Sequence, residues 1–193
     1  MKLSFLLFLL YFYKFLNAQE NNLIENKDAK FIDDSSYIYS LPYPSGKCFL
    51  LVQGYNTWLS HRGEIALDFK MKPGTNIAAA RDGLVLDVKK HFDQGGIGYK
   101  FLPLGNYIAI LHEDGSIAFY WHLKKNGSLV NVFDSVKKGQ VIGLSGNTGF
   151  SAFPHLHFEV RQYDAQGNYK ELRTRFQTQK GVMYLKPLRF YRH

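Results

Sequence analysis

Short strand-like runs separated by turn residues make up most of this chain, and they limit the folds open to it. Between residues 47 and 161, runs rich in β-branched and aromatic residues alternate with Gly, Pro and Asn-Gly at intervals of roughly ten to fifteen residues. No segment there shows a sustained helical period. The pattern predicts an all-β, β-dominated single domain whose antiparallel strands close into a sandwich or barrel. The predicted strands are 48–53, 66–69, 76–79, 83–90, 106–112, 117–122, 140–144 and 156–161.

Composition fits a folded domain and restricts any metal site. The 193 residues are 46% hydrophobic and 21% charged, which excludes a disordered or collagen-like chain. Cys48 is the sole cysteine, so neither an intramolecular disulfide nor the cysteine pairs of a zinc finger can form. Any metal must therefore bind His, Asp or Glu. We expect Cys48 itself to be a small buried apolar residue.

The charge of the chain is basic but dispersed. Lys and Arg number 24 against 16 Asp and Glu, a formal net charge of +8. Because the basic residues form no long tract, the sequence predicts no nucleic-acid partner. Attraction to an anionic polymer or surface is the better explanation of such a charge. The oligomeric state is left open.

The first eighteen residues are typical of a secretory signal peptide. Lys2 precedes an apolar run over residues 3–13, and Ala18 supplies a small residue for cleavage. The run is too short for the roughly twenty residues that span a bilayer, although an uncleaved anchor is the alternative. No second apolar run of this length follows. We therefore expect the mature protein outside the cytoplasm, with no stable membrane insertion after cleavage.

The rest of the chain divides into three parts. Residues 19–40 are polar, rich in Asn and Asp, and predicted to be a loosely attached arm, with a Tyr-Ile-Tyr patch at 37–39 that could dock on the body. Residues 41–163 form the predicted domain. A polar turn then leads into a basic tail over residues 164–193.

His155 and His157 flank Leu156 in a segment that is predicted to be a strand. Side chains two apart on a strand point to the same face, so both imidazoles should project together while Leu156 and Phe158 face the core. Two imidazole nitrogens on one rigid face suit a metal such as zinc. A surface pair of histidines without a metal is the alternative.

A third histidine and a carboxylate lie upstream. His61 ends a turn-like stretch, and Asp68 lies within the apolar run 65–69. Burying a carboxylate is costly unless it is paired, hydrogen-bonded or bound to a cation. A metal would compensate for that cost, and a salt bridge to a lysine or to Arg81 is the alternative.

A fourth histidine, His122, ends a strand-like run after Tyr120 and Trp121. Strand alternation predicts that His122 shares a face with Tyr120, with Trp121 opposite. A histidine beside two aromatic residues is more often a packing residue. A functional role for His122 is expected only if a metal site lies beside it.

Taken together, these motifs resemble the lysostaphin-like (LytM-type) zinc peptidases, which have the duplicated hybrid motif fold and cut peptide cross-links of bacterial cell walls. The resemblance covers residues 41–161. The matching elements, in order, are S-H-x(6)-D-F, P-G-T-x-I-x-A-A-x-D-G-x-V, G-N-Y-x-x-I, Y-W-H-L, G-Q-x-I-G-x-S-G-N-T-G and P-H-L-H-F-E.

The resemblance implies roles for five residues. His61, Asp68 and His157 correspond to the family's zinc ligands, while His122 and His155 correspond to its catalytic histidines. Two imidazoles and one carboxylate leave the fourth tetrahedral position of Zn²⁺ open for water, as a catalytic site requires. The implied protein is a secreted zinc metalloendopeptidase that hydrolyses peptidoglycan peptides, in the periplasm or outside the cell.

Two features depart from the common family pattern. Six residues separate His61 from Asp68, whereas three are commoner, and we expect the extra residues to bulge outward. Phe153 precedes the P-H-L-H-F-E motif where the family often has a small residue, which bears on subsite preference.

Two other functions are compatible with the sequence. One is a catalytically silent family member that binds the cell wall and regulates an amidase, although members of that kind typically lack some of the five residues. The other is a peptidase of extracellular proteins. A metalloprotease H-E-x-x-H motif is excluded at His112-Glu113, because position 116 is Ser.

Overall fold

The computed structural model describes residues 32–57 and 61–193, and gives only the backbone of residues 32–36. Within these residues the chain has sixteen strands and one short 3-10 helix, Tyr99–Leu104, which confirms the predicted all-β fold. This helix is too short to cross a membrane, and the described part of the chain has no other helix. The predicted signal peptide lies outside the described residues.

The strands follow one another along the chain as β1 (Ile32–Ser40), β2 (Cys48–Gln53), β3 (Ala66–Lys70), β4 (Asn76–Ala78), β5 (Gly83–Lys89), β6 (Gly95–Gly96), β7 (Tyr107–Leu111), β8 (Ser116–Trp121), β9 (Leu123–Ser128), β10 (Ser135–Val136), β11 (Val141–Ser145), β12 (Gly149–Phe150), β13 (His155–Tyr163), β14 (Tyr169–Thr178), β15 (Gly181–Met183) and β16 (Arg189–Arg192). All eight predicted strands are present.

One large sheet contains the strands of Asp68, His155 and His157. Its strand order is β10-β5-β7-β8-β13-β3-β2-β16, and β14 extends from β13 to pair with β1 and β15. All of these pairs are antiparallel except β1 with β14. A second sheet has the order β4-β11-β9, and β12 pairs with β6 in parallel.

Strand alternation divides the residues of the large sheet between two faces. Leu156 and Phe158 of β13 are buried in the main core as predicted, and Tyr120 of β8 joins them there. That core also takes in Ile77 and Ile142 of the second sheet, so it lies between the two sheets. The histidines of β13 alternate with these core residues and therefore project from the opposite face.

Both described ends of the chain pack on the body, as expected for the Tyr-Ile-Tyr patch at 37–39. Tyr39 of β1 is fully buried, and the strand lies parallel to β14. Residues 164–193 contain β14, β15 and β16, and Phe176 of β14 is buried in the main core. These strands pair with partners far away in sequence, a feature that local composition does not record.

The expectation for Cys48 is wrong. Its side chain is exposed, because Cys48 is the first residue of β2 and lies opposite Arg192 of the edge strand β16. The burial of β2 begins further along the strand, where Leu51 enters the core.

Candidate metal centre

Antiparallel pairing of β3 with β13 brings Asp68 and His157 together. The two residues are direct partners in the register, so their side chains leave the same face of the sheet. Nδ1 of His157 lies 2.9 Å from Oδ1 of Asp68. A separation of 89 residues in sequence thus becomes a contact through the strand register.

His61 reaches the same carboxylate from the loop before β3. Its Nδ1 lies 3.0 Å from the carbonyl oxygen of Ala66 and 3.2 Å from that of Gly54, and its Nε2 lies 3.1 Å from Oδ2 of Asp68. Because the backbone carbonyls take the Nδ1 proton, Nε2 carries the lone pair that a metal requires. The next three residues, 62–64, are exposed, and Gly63 adopts φ 87°. The extra residues therefore bulge outward as expected.

Asp68 is the common contact of three histidines. It is 2% exposed, accepts a hydrogen bond of 2.7 Å from Nε2 of Gln53, and has Nε2 of His155 at 3.5 Å. Burial alone would raise the pKa of Asp68, but its close contacts with the rings of His155, His157 and His61 hold that pKa well below its usual range. Arg81, the alternative partner considered from the sequence, pairs instead with Asp114 at 2.5 Å.

His122 and His155 lie next to each other beside this group. Their ring centroids are 4.6 Å apart, and the His122 ring is 5.7 Å from that of His157. Nδ1 of His122 lies 2.7 Å from the carbonyl oxygen of Thr148, and Nδ1 of His155 lies 2.7 Å from that of Phe153. In the tautomers that donate these Nδ1 protons, Nε2 of each ring is a proton acceptor.

The predicted orientation of His122 is wrong. Strand β8 ends at Trp121, and His122 takes the left-handed conformation at φ 63°. Tyr120 enters the core on one face of β8, while the turn at His122 directs its imidazole to the other face, towards His155. Left-handed backbone is uncommon for residues other than glycine, and strand alternation cannot predict it.

The pKa shifts of the histidines differ in direction. Burial and the neighbouring His155 and His157 hold the pKa of His122 well below its usual value. Burial would also lower the pKa of His157, but its hydrogen bond and attraction to Asp68 outweigh burial and raise the pKa to about 9. In the metal-free chain, His157 is thus the protonated partner of Asp68.

A second row of polar residues, which none of the sequence motifs indicated, lies behind His157. Glu159 accepts hydrogen bonds from Nε1 of Trp121 at 2.9 Å and from the guanidinium of Arg161 at 2.6 and 3.0 Å. Burial would raise the pKa of Glu159, but Arg161 and His157 hold it below its usual value. Strand alternation from His157 places Glu159 and Arg161 on the same face and could have found both.

Asn106 fixes the backbone near His122. Its side chain donates to the carbonyl oxygens of Phe92 at 2.7 Å and Leu123 at 3.2 Å, and accepts the N–H of Phe92 at 3.1 Å. Its backbone N–H donates to Oγ1 of Thr148, whose carbonyl holds His122. The sequence motifs did not indicate this role of Thr148.

The donor set fits zinc. One ligand atom each from His61, Asp68 and His157 lies within 4.8 Å of the others, and a second group of His122, His155 and His157 meets the same limit. Two imidazole nitrogens and one carboxylate oxygen are the ligands of a catalytic rather than a structural zinc. The geometry thus defines a candidate three-ligand metal centre with two further histidines beside it, on an all-β fold.

The comparisons with known proteins agree with this class. The model of Peptidase family M23 matches residues 61–170. A protein named "Uncharacterized metalloprotease" from Buchnera aphidicola is 43% identical over 115 residues, which is 60% of this chain and 27% of that protein. The peptidoglycan DD-endopeptidase ShyA of Vibrio cholerae is 40% identical over 94 residues, 48% of this chain and 19% of that protein.

Lysostaphin of Staphylococcus staphylolyticus is 38% identical over 94 residues, 48% of this chain and 17% of that protein. The aligned part thus spans about a quarter or less of these curated relatives. The chain belongs to Peptidase family M23, whose members are zinc metallopeptidases, and the predicted lysostaphin-like family is confirmed.

Proposed function

We propose that this protein is a secreted zinc endopeptidase that hydrolyses peptide cross-links of bacterial peptidoglycan. His61, Asp68 and His157 would hold the zinc, and His122 and His155 would move protons. The observation that carries the proposal is the convergence of all five side chains on one face of the large sheet.

The three ligands suit the metal because each is oriented by another part of the chain. Carbonyl oxygens of Ala66 and Gly54 fix the His61 ring, and Gln53 holds one oxygen of Asp68. Such supporting hydrogen bonds set the tautomer and direction of metal ligands. Zinc, when bound, supplies Lewis-acid polarisation of a carbonyl oxygen and lowers the pKa of water to about 7.

His155 and His122 would do the proton work. Each donates Nδ1–H to a backbone carbonyl, so Nε2 is the nitrogen that takes up or gives back a proton. Because burial and the neighbouring His155 and His157 lower the pKa of His122, its imidazole is neutral near pH 7. After accepting a proton, either imidazolium would donate a hydrogen bond to the negative charge that develops on the attacked carbonyl.

Cell-wall peptide is the substrate that best matches the relatives and the charge. One relative's name states peptidoglycan DD-endopeptidase activity. The net charge of +8, or +6 once Lys2 and Lys14 leave with the leader, favours binding to a carboxylate-bearing polymer. Export by the predicted leader, residues 1–18, would bring the enzyme to that polymer, in the periplasm or outside the cell.

Mass spectrometry of wall fragments tests the proposal. Purified sacculi are incubated with the zinc-loaded chain lacking residues 1–18, and the released fragments are compared with those from His155→Ala and His157→Ala. We expect new peptide ends from the wild type, and a loss of at least about 100-fold in each variant. Sacculi that stay uncleaved by the wild type, or cleavage by His155→Ala at the wild-type level, would refute the assigned function.

A further inference from the structure

One short loop positions both proton-moving histidines. The carbonyl oxygen of Thr148 accepts from His122, and that of Phe153 accepts from His155, each at 2.7 Å. We call residues 148–153 the histidine loop. Phe150, the third residue of this loop, is 37% exposed, so the loop that holds the two imidazoles also presents an aromatic ring to solvent.

A second aromatic ring lies against Phe150. Tyr99, the first residue of the 3-10 helix, is 82% exposed, and its ring stacks on that of Phe150 with centroids 6.3 Å apart and planes 19° apart. We call Tyr99 and Phe150 the aromatic pair. Ile97, at 76% exposure, is close to the pair in sequence. Exposed apolar groups that cluster in this way mark binding sites more often than isolated ones do.

Backbone contacts fix the aromatic pair relative to the histidines. Strand β6 pairs with β12, so Gly96 lies opposite Phe150, and the N–H of Gly149 donates to the carbonyl oxygen of Gln94 at 2.9 Å. The two segments approach so closely that a Cβ on Gly95 would lie 1.8 Å from the carbonyl oxygen of Asn147. The pair is therefore part of the same rigid frame as His122.

We propose that the aromatic pair is a subsite for the substrate's peptide chain, within about three residues of the bond that is cut. This inference rests on the proposed function. Phe150 is two residues from Thr148, so their Cα atoms are at most about 7.6 Å apart. An extended peptide advances about 3.3 Å per residue, and the ring thus lies in reach of the residues next to the scissile bond. The sugar strands lie beyond this peptide arm, so the proximity favours peptide over glycan.

Stacked rings suit this role because they offer a flat apolar surface without a conformational change. A peptide laid across them would exclude water from both rings, and aromatic contacts of this kind carry energies that correspond to about 3- to 10-fold in affinity. Since the pair touches neither the metal ligands nor the reacting bond, its loss should act on KM more than on kcat.

Binding to a catalytically inactive form tests the subsite directly. In a His155→Ala background, the affinity for a fluorescent cross-linked peptide dimer without sugars is measured by anisotropy. Adding Tyr99→Ala should weaken binding about 3- to 10-fold. Adding Tyr99→Phe instead, which keeps the aromatic ring, should leave the affinity unchanged. Phe190→Ala is the matched control, because Phe190 is 67% exposed but lies on β16 at the edge of the sheet.

The outcomes separate this subsite from the proposed function. Equal peptide affinities for His155→Ala with and without Tyr99→Ala would overturn the subsite, whether or not the wild type cleaves sacculi. So would a weakening seen only with sugar strands free of peptide, because the pair would then bind glycan. A weakened peptide affinity together with intact sacculi would sustain the subsite and refute only the hydrolysis.

Discussion

Asp68 shows how a single buried carboxylate can bring a site together. Its two oxygens face His61, His155, His157 and Gln53, which belong to three different segments. Four contacts of this kind offset the cost of burying a charge, which an isolated carboxylate could not do. The sequence indicated that Asp68 needed a partner, because it interrupts an apolar strand. It did not indicate Gln53, since nothing in a lone glutamine points to a distant carboxylate.

A proton on His157 should compete with zinc. In the metal-free chain Asp68 raises the pKa of His157 to about 9, and the nitrogen that faces Asp68 must lose its proton before it can bind a metal. Zinc affinity should therefore rise about tenfold per pH unit between pH 6.5 and 8.5, and level off above pH 9. Titration against a chelator of known pH dependence measures this, and a flat profile below pH 8.5 would contradict it.

The same shift predicts the stability of the metal-free chain. A raised pKa means that the folded state binds the proton more tightly than the unfolded state. The stabilisation is thus complete below the ordinary imidazole pKa of about 6.5 and is lost as the pH rises through about 9. Chemical denaturation of metal-free protein should accordingly show a lower free energy of unfolding at pH 9 than at pH 6.5, and bound zinc should remove the decline.

At the scale of secondary structure, local sequence pattern predicted most of the strands between residues 48 and 161 but not those at the two ends of the described chain. Runs such as Cys48–Gln53 combine β-branched or apolar residues with turn residues on both sides. Strand β14 has an equally clear alternation, in which Leu172, Thr174, Phe176 and Thr178 are buried. Arginines occupy two of the intervening positions, and this basic composition hid the period. A count of alternating positions over residues 169–178 could have found the strand.

The last thirty residues should therefore contribute to stability. Phe176 is fully buried against Tyr39 and Phe158, with ring centroids 6.1 and 5.9 Å away. Phe176→Ala should lower the free energy of unfolding by about 3–5 kcal/mol. The exposed Phe190 is the control, and its replacement by Ala should cost less than about 0.5 kcal/mol. Equal denaturation midpoints for the two variants would mean that this segment is a dispensable tail.

For the molecule as a whole, a series of motifs in order carried more information than any one of them. H-x-H alone predicts a shared strand face, and the structure places His155 and His157 on that face. The convergence of His61 and His122 with them depends on loops, on the outward bulge at residues 62–64 and on the left-handed turn at His122. Neither is encoded by alternation or spacing, so only the family resemblance could suggest both in advance.

The boundaries of the folding unit also depend on strand pairing across the whole described chain. The family model covers residues 61–170, yet strands β1 and β16 join the same sheet from outside that range. We therefore propose that the folding unit is longer than the predicted 41–163, and extends from β1 to β16.

Zinc content measures the central claim most directly, namely that His61, Asp68 and His157 bind one ion. Elemental analysis of the purified chain lacking residues 1–18, after zinc loading and removal of free metal, should find one zinc per chain in the wild type and in His155→Ala. His157→Ala and Asp68→Asn should hold none, while circular dichroism confirms that each variant is folded. A wild type that takes up no zinc, or a His157→Ala variant that keeps it, would contradict the account.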